Sequence, residues 1–531
     1  MAEKFKVLIA DNLDAEGVEI LENSGIIEVD YRKKTDREEL LKIIGNYHGL
    51  IVRSATKVNK EVLDKCENLK VVIRAGVGVD NIDIPACSQK GVVVMNAPAG
   101  NSVSTAEQAI ALMFALARKT PQANASMKEK KWEKSKFNGT QLTGKTIGVI
   151  GLGRIGKEVV KRCKGLQMHV LGFDPYIPKE ALEYLQIELT DVDTILAKSD
   201  FITVHTPLTE TTAGLVNSKN LSKLKPGVRL INCARGGIYD EAAIAEGIKS
   251  GVIAGAGLDV FTEEPPKADL PLYELEDAIL TPHLGASTDE AQLEVAKETA
   301  DSMVEYLKSG VARNSLNFPT LDPGQMDVLA PWFELCEKLG SLIAQAMKGA
   351  IQTVQIEYRG ELTNYNLNPL EIAMAKGLLT VAMGDEVNLV NAPVYAKDRG
   401  ITIAGNSIKS TSNEASVLKV SASDGKENFQ IRATVNFSGG TIIGVNNLPM
   451  EFKPSGHILL IKNKDVPKVV GELGTLLGSH GVNIASLQLA RDTRGGAALT
   501  FIEIDDELPG EVLETLKAKE YILEARYIRI R

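Results

Sequence analysis

The stretch that decides the fold runs from Lys145 to Pro175, KTIGVIGLGRIGKEVVKRCKGLQMHVLGFDP. Its apolar, β-branched run from Thr146 to Ile150 has the pattern of a strand buried on both faces, as in a parallel sheet. Gly151, Gly153 and Gly156 follow as G-x-G-x-x-G, then a helical segment with apolar residues at Ile155, Val159, Val160 and Cys163. A second apolar run, His169 to Phe173, ends at Asp174. Strand, glycine loop, helix, strand and terminal acid within one βαβ unit are the setting in which this glycine motif binds a dinucleotide. Gly151 is expected to make the tight turn, Gly153 to let backbone approach a pyrophosphate, and Gly156 to let helix pack on strand. Arg154 and Ile155 open the helix whose N-terminus receives the phosphate charge. Asp174 is placed to accept hydrogen bonds from an adenosine ribose and to repel a 2′-phosphate, which favours NAD over NADP.

On both sides of this unit, strands alternate with helices. Phe5 to Ala10, Gly49 to Arg53, Leu69 to Ala75 and Gly91 to Asn96 read as short buried strands, with helical patterns between them such as Arg37 to Ile44, giving a small doubly wound α/β unit. Ser104, Thr105, Glu107 and AEQAIALMFALARK predict a long apolar helix, and the charged MKEKKWEKSKFNG predicts a crossing between lobes or subunits. Further strands are expected at Phe201 to His205, Arg229 to Asn232, Gly255 to Asp259 and Ala278 to Thr281, followed by a helical pattern from Gly285 to Ser309. The chain changes character at Gly310, and NSLNFPTLDPG reads as a linker. Beyond it, helices are expected at Trp332 to Met347 and Pro369 to Met383, and strands at Thr353 to Tyr358, Val417 to Ala422 and Phe429 to Val435. The end of the chain reads βαββαβ, a ferredoxin-like order: strands at His457–Lys462, Ile484–Ala490, Ala497–Ile504 and Ile522–Ile530, helices at Val466–Ser479 and Gly510–Ala518.

A chain of 531 residues with net charge −9 has room for several cores and disfavours general nucleic-acid binding. Cys66, Cys87, Cys163, Cys233 and Cys336 lie far apart and predict buried apolar residues of a reducing compartment, with neither disulfide frame nor metal site. MAEKFKVLIADNL leads straight into a strand, and the longest apolar run, Ala109 to Ala117, is too short to span a bilayer, so a cytoplasmic protein is expected.

If a nicotinamide binds, hydride transfer needs a proton carrier and a substrate anchor. Of six histidines, His283 stands out: it follows Ile279-Leu280-Thr281-Pro282 at a strand end and precedes the small residues Gly285, Ala286 and Ser287. Asn232-Cys233-Ala234-Arg235-Gly236-Gly237 puts a guanidinium after another strand, suited to a substrate carboxylate. Asp259 to Pro265, DVFTEEP, puts acids after a third. In doubly wound sheets such strand ends face the ligand crevice.

GLGRIG, NCARGG, DVFTEEPP and TPHLGAS stand in the order and spacing of the D-isomer-specific 2-hydroxyacid dehydrogenases, which the first 310 residues resemble. The two C-terminal segments resemble those of the family's long members. The resemblance implies two Rossmann-like or flavodoxin-like lobes, then an α+β intervening domain and an ACT domain. The substrate lobe would comprise 1–97 and 285–312, the dinucleotide lobe 98–284, the intervening domain 316–452 and the ACT domain 455–531. It implies NAD-dependent oxidation of 3-phospho-D-glycerate to 3-phosphooxypyruvate, opening phosphorylated L-serine synthesis, in a homotetramer or homodimer. Rival activities are a glyoxylate or hydroxypyruvate reductase, and an NAD-sensing corepressor on the same fold.

By the same resemblance His283 is the general acid/base, Glu264 hydrogen-bonds and orients it, and Arg235 binds the substrate carboxylate. Val77, Gly151, Gly153, Arg154, Ile155, Gly156, Asp174, Thr206, Cys233, Ala234, Arg235, Asp259, His283, Gly285 and Ala286 would line the cofactor site. Arg53, Ser54, Arg74 and Asn101 would meet the substrate together with Arg235 and His283, and Lys134 would reach a neighbouring subunit's site. Asn463, Asp465 and Asn483 would form an amino-acid effector site for L-serine, with Lys468 standing where the ACT loop pattern has glycine.

Overall fold

The computed structural model describes residues 4–318, 323–408 and 415–531; residues 319–322 of the expected linker lie outside them. The first sheet is wholly parallel, in the order Ile27–Tyr31, Phe5–Ile9, Gly49–Val52, Val71–Arg74, Val93–Asn96. Four of these strands announce themselves by apolar runs, and Gly49–Val52 and Val93–Asn96 are buried at every position. Ile27–Tyr31 does not: it lies at the sheet edge, buries only Ile27, and so carries no such run.

The second sheet has seven parallel strands in the order Ala278–Leu280, Ile253–Leu258, Val228–Asn232, Phe201–Val204, Thr146–Ile150, His169–Phe173, Glu188–Leu189. Strand order reverses beside Thr146–Ile150, so the glycine loop that follows sits at the switch point where such sheets bind ligands. The helix Ser102–Arg118 lies on this sheet with Leu112 and Leu116 buried, and a Cβ on Gly257 would come within 3.0 Å of the Leu112 Cβ. The helix Asp289–Ser309 starts four residues later than its pattern predicts, where the Thr288 hydroxyl caps it by accepting from the Ala291 amide at 3.2 Å. It returns to the first sheet and completes that core with Val295, Ala296, Ala300, Met303 and Leu307. The chain therefore leaves the first lobe, builds the second, and comes back.

A six-stranded mixed sheet follows, in the order Thr402–Ile408, Thr353–Arg359, Val417–Ser423, Asn428–Asn436, Gly439–Val445, Leu448–Phe452. Helices Pro323–Ala346 and Asn368–Met383 pack closely at two glycines: a Cβ on Gly377 would lie 1.9 Å from the Glu337 carbonyl oxygen, and one on Gly340 2.3 Å from that of Met374. The first of these helices begins nine residues before its expected start and runs through Pro331. The last sheet is antiparallel, in the order Ile484–Arg491, Ala497–Ile504, Gly456–Lys464, Ile522–Ile530, the expected ferredoxin-like arrangement. Its core does not stand apart. Ile458, Leu460, Phe501 and Ile528 join one continuous cluster with Leu335, Leu339 and Ile442 of the preceding segment, and Phe452 stacks on Phe501 at 3.6 Å. Asn388 Nδ2 donates to the Gly91 carbonyl at 2.9 Å and the Tyr395 hydroxyl to that of Gln89 at 3.0 Å, fastening the third segment to the first lobe.

Candidate active site

Thr281, Pro282 and His283 follow the strand Ala278–Leu280, and His283 takes a left-handed backbone conformation (φ 56°), sparsely populated outside glycine. There its Nδ1 lies 2.7 Å from Glu264 Oε2, while the Phe261 amide donates to Oε1 at 3.1 Å. Burial pushes the Glu264 carboxyl up, but the His283 and Phe261 hydrogen bonds, with the charges of His283 and Arg235, outweigh it and hold the carboxyl below its ordinary range. An ionised carboxylate accepts only, so Nδ1 carries the hydrogen of this bond, and in the neutral ring Nε2 is the acceptor. Asp259, fully buried, supports this loop from beneath: it accepts from Thr281 Oγ1 at 2.5 Å and from the Leu284 and Gly285 amides at 2.8 Å each. Ser104 Oγ donates to the Gly285 carbonyl at 2.7 Å, and Gln292 Nε2 to that of Ala286 at 2.6 Å, so both long helices hold the histidine loop.

Arg235 sits on a turn shaped by buried Asn232, whose Nδ2 donates to the Arg235 carbonyl at 2.8 Å and whose Oδ1 accepts from the Ala234 amide at 2.9 Å. Its guanidinium donates from Nη1 to the Ala234 carbonyl at 2.6 Å and from Nε to Asp80 Oδ2 of the other lobe at 3.1 Å. Arg74 lies nearby, with its Nε buried and without a partner among the described residues. Burial, then the like charges of Arg235 and Arg53, push its guanidinium down to about 10 against the pull of Asp80 and Asp11. Burial likewise lowers Arg53, opposed by Asp11, which accepts from the Arg53 amide at 2.6 Å and Thr56 Oγ1 at 2.9 Å. Two glycines make room for this packing: a Cβ on Gly76 would fall 1.8 Å from Arg74 Nη1, and one on Gly78 1.9 Å from Arg235 Nη2. Three guanidiniums gathered from two lobes put like charge in one place, which is costly to bury unless an anion neutralises it. Asn101, buried at the start of the helix Ser102–Arg118, keeps its Oδ1 unpartnered, and Ser54 is exposed just after Arg53. Lys134 is exposed on the turn Lys134–Phe137 and is not among the charges acting on Arg74.

The dinucleotide residues form a fitted cradle. Gly151 has φ 92°, and a Cβ there would lie 2.5 Å from the His205 carbonyl oxygen; one on Gly156 would lie 1.9 Å from that of Gly151. A Cβ on Gly153 would meet nothing within 4 Å, so this glycine keeps space open in front of the helix Arg154–Gly165. Asp174 accepts from the Leu152 amide at 2.9 Å and the Tyr176 amide at 2.9 Å, fixing a carboxylate beside the loop. Thr206 Oγ1 is buried with no partner among the described residues, and the half-buried Val77 has its carbonyl held by Asn96 Nδ2 at 2.6 Å. Cys233 is buried and its thiol is pushed well up by burial, so it lines the site as an inert apolar group.

Comparison with known proteins decides the family. Residues 110–285 match the D-isomer specific 2-hydroxyacid dehydrogenase NAD binding domain, 328–445 the D-3-phosphoglycerate dehydrogenase intervening domain, and 457–520 the ACT domain. The chain is 43% identical over 529 residues to D-3-phosphoglycerate dehydrogenase of Archaeoglobus fulgidus, covering 99% of this chain and 100% of that one. It belongs to the D-3-phosphoglycerate dehydrogenases. The Bacillus subtilis D-3-phosphoglycerate dehydrogenase is 38% identical, with 99% of both chains covered. Among solved structures, a glyoxylate reductase from Paecilomyes thermophila (TM-score 0.55, 25% identity) covers 61% of this chain and is itself covered completely. The apo D-lactate dehydrogenase of Escherichia coli (TM-score 0.52, 26% identity) covers 59% of this chain, with 99% of its own length matched. This dehydrogenase is thus an oxidoreductase with a nicotinamide-binding domain and an ACT domain.

The expected effector residues are arranged differently from the catalytic ones. Asn463 is buried, and both ends of its amide are used: Nδ2 donates to the Lys464 carbonyl at 2.9 Å and Oδ1 accepts from Thr500 Oγ1 at 2.9 Å. Asp465 accepts from Arg491 Nη1 at 2.7 Å and the Gly495 amide at 2.9 Å, and Asn483 donates to Asp505 at 2.6 Å. Lys468, at the expected glycine position, has φ 78°, and its helix starts at Val469 instead of Val466. Sequence reasoning passed over Asp11, Asp80, Asn81, Asn96 and Asn232, which hold the site; the signal for one of them was the run Gly76-Val77-Gly78-Val79-Asp80 after a strand end.

Proposed function

We propose that this enzyme oxidises 3-phospho-D-glycerate to 3-phosphooxypyruvate with NAD, as the first step of phosphorylated L-serine synthesis. The observation that carries the reading is the convergence of Arg53, Arg74 and Arg235 beside the His283–Glu264 pair. A substrate with a carboxylate at one end and a phosphate at the other matches that charge distribution. Arg235 takes the carboxylate, and Arg53 and Arg74, with Asn101 and Ser54, take the phosphate. His283 Nε2 accepts the C2 hydroxyl proton as C2 gives up its hydride, and Glu264 stabilises the imidazolium that forms. The nicotinamide, when bound, supplies the carbon that accepts the hydride. Gly151, Gly153, Gly156, Arg154 and Ile155 hold the pyrophosphate, and Asp174 holds the ribose and disfavours a 2′-phosphate.

In this reading Lys134 serves a neighbouring subunit's site, so the working enzyme is at least a dimer in the cytoplasm. The ACT segment is regulatory. The test is NADH appearance with 3-phospho-D-glycerate and NAD at alkaline pH: turnover is expected, and turnover confined to glyoxylate or hydroxypyruvate would overturn the substrate assignment.

A further inference from the structure

Asp80 and Asp11 are the two carboxylates that pull on the buried Arg74 guanidinium, and they differ sharply. Asp11 is buried and spends its oxygens on the Arg53 amide and on Thr56. The Asp80 side chain is 79% exposed, and its contact is made across the groove between lobes, to Arg235 Nε at 3.1 Å. An ion pair that exposed adds little to folding, so stability does not account for it. What surrounds it is far more constrained than a solvated pair requires. Gly78, two residues before, carries no Cβ where one would stand 1.9 Å from Arg235 Nη2 and 3.0 Å from Asp80 Oδ2. The loop is fastened on both sides of Asp80. Asn96 Nδ2 holds the Val77 carbonyl at 2.6 Å, and Asn81 Nδ2 holds the carbonyls of Arg53 at 2.7 Å and Thr56 at 2.6 Å.

We infer that Asp80 is a positioning residue that fixes the carboxylate anchor Arg235 relative to the phosphate anchors Arg53 and Arg74; this rests on the proposed function. The two neighbours Asp80 and Asn81 divide the task. Asn81 sets the backbone of Arg53 in its own lobe, and Asp80 reaches over to the guanidinium of Arg235 in the other. One rigid loop thereby sets the spacing between two anion-binding groups whose strands belong to different sheets. With Asp80 on Nε and the Ala234 carbonyl on Nη1, the Arg235 plane is held from two sides, and its Nη2 lies over Gly78. A guanidinium held in that way binds a carboxylate at lower ordering cost than a free one.

The test is steady-state kinetics of Asp80→Asn and Asp80→Glu, with oxamate as a probe of the Arg235 subsite and inorganic phosphate as a probe of the Arg53–Arg74 subsite. In D80N, the KM for 3-phospho-D-glycerate and the inhibition constant of oxamate are each expected to rise about tenfold, the scale of one charge-assisted hydrogen bond. Phosphate inhibition and the KM for NAD should stay within about twofold, and D80E should recover at least half of the lost oxamate affinity. Unchanged oxamate inhibition in D80N would overturn the inference. So would a parallel loss of oxamate, phosphate and NAD binding, which would mark a general loosening of the fold. If the wild-type chain itself fails to turn over 3-phospho-D-glycerate, it is the proposed function that falls.

Discussion

The interlobe groove and the ACT loop present similar polar side chains and treat them in opposite ways. In the groove, Arg74 Nε, Asn101 Oδ1 and Thr206 Oγ1 are buried with no partner among the described residues, and burial lowers the guanidiniums of Arg53 and Arg74, with the like charges of Arg235 and Arg53 adding to it at Arg74. In the ACT segment, Asn463, Asp465 and Asn483 each have partners from their own fold. Unsatisfied buried polar groups cost about 1–3 kcal/mol each, so three of them around one groove leave binding capacity in reserve there. The difference predicts strong ligand selection in the groove and weak selection at the ACT loop.

The largest effect is expected at the proton acceptor. His283→Asn should lower kcat about a thousandfold or more, while NAD affinity measured by fluorescence titration stays nearly unchanged. A variant that keeps the wild-type rate would remove His283 from the mechanism. Next comes Arg74→Ala, which should raise the KM for 3-phospho-D-glycerate about a hundredfold. Its melting temperature should hold or rise, because the deleted guanidinium is buried among like charges; a drop in stability with unchanged KM would make Arg74 structural.

A smaller effect concerns pH. Burial pushes His205, behind the glycine loop, from an ordinary value of 6.5 down to about 4, and its buried Nδ1 has no partner among the described residues. The folded chain therefore stays unprotonated where the unfolded chain takes up a proton. Stability from this group is complete above pH 6.5 and is lost as pH falls toward 4, at about 1.4 kcal/mol per pH unit. Melting temperatures of the wild type and His205→Gln between pH 7 and pH 4 should converge as pH falls. Curves that stay parallel would contradict the assignment. The smallest effect is expected at the ACT loop, where millimolar L-serine should change the initial rate less than about twofold, given how fully its polar groups are engaged. Strong inhibition would show that the loop opens to bind.

Much of this was legible in the residues, and the reason is physical. Parallel strands buried on both faces leave unbroken apolar runs, and Thr146–Ile150, Phe201–Val204 and Val228–Asn232 could be read directly. Thr402–Ile408 could not, because its residues are almost all exposed at a sheet edge and TIAGNSI carries no alternation. His283, Arg235 and Glu264 stood out because each follows a strand end. Asp80 also follows a strand end, but its partner lies 155 residues away and no local pattern encodes that pairing. The merging of the last two segments into one core was equally hidden: an apolar sheet face reads the same whatever covers it.

The claim at the centre is that three arginines from two lobes choose a substrate charged at both ends. The measurement that addresses it most directly is the ratio of kcat/KM for 3-phospho-D-glycerate to that for D-glycerate, which lacks only the phosphate. A ratio of about a thousand or more is predicted, since a site built for a charged group is left with buried charge unpaired when that group is missing. A ratio near one would contradict the account.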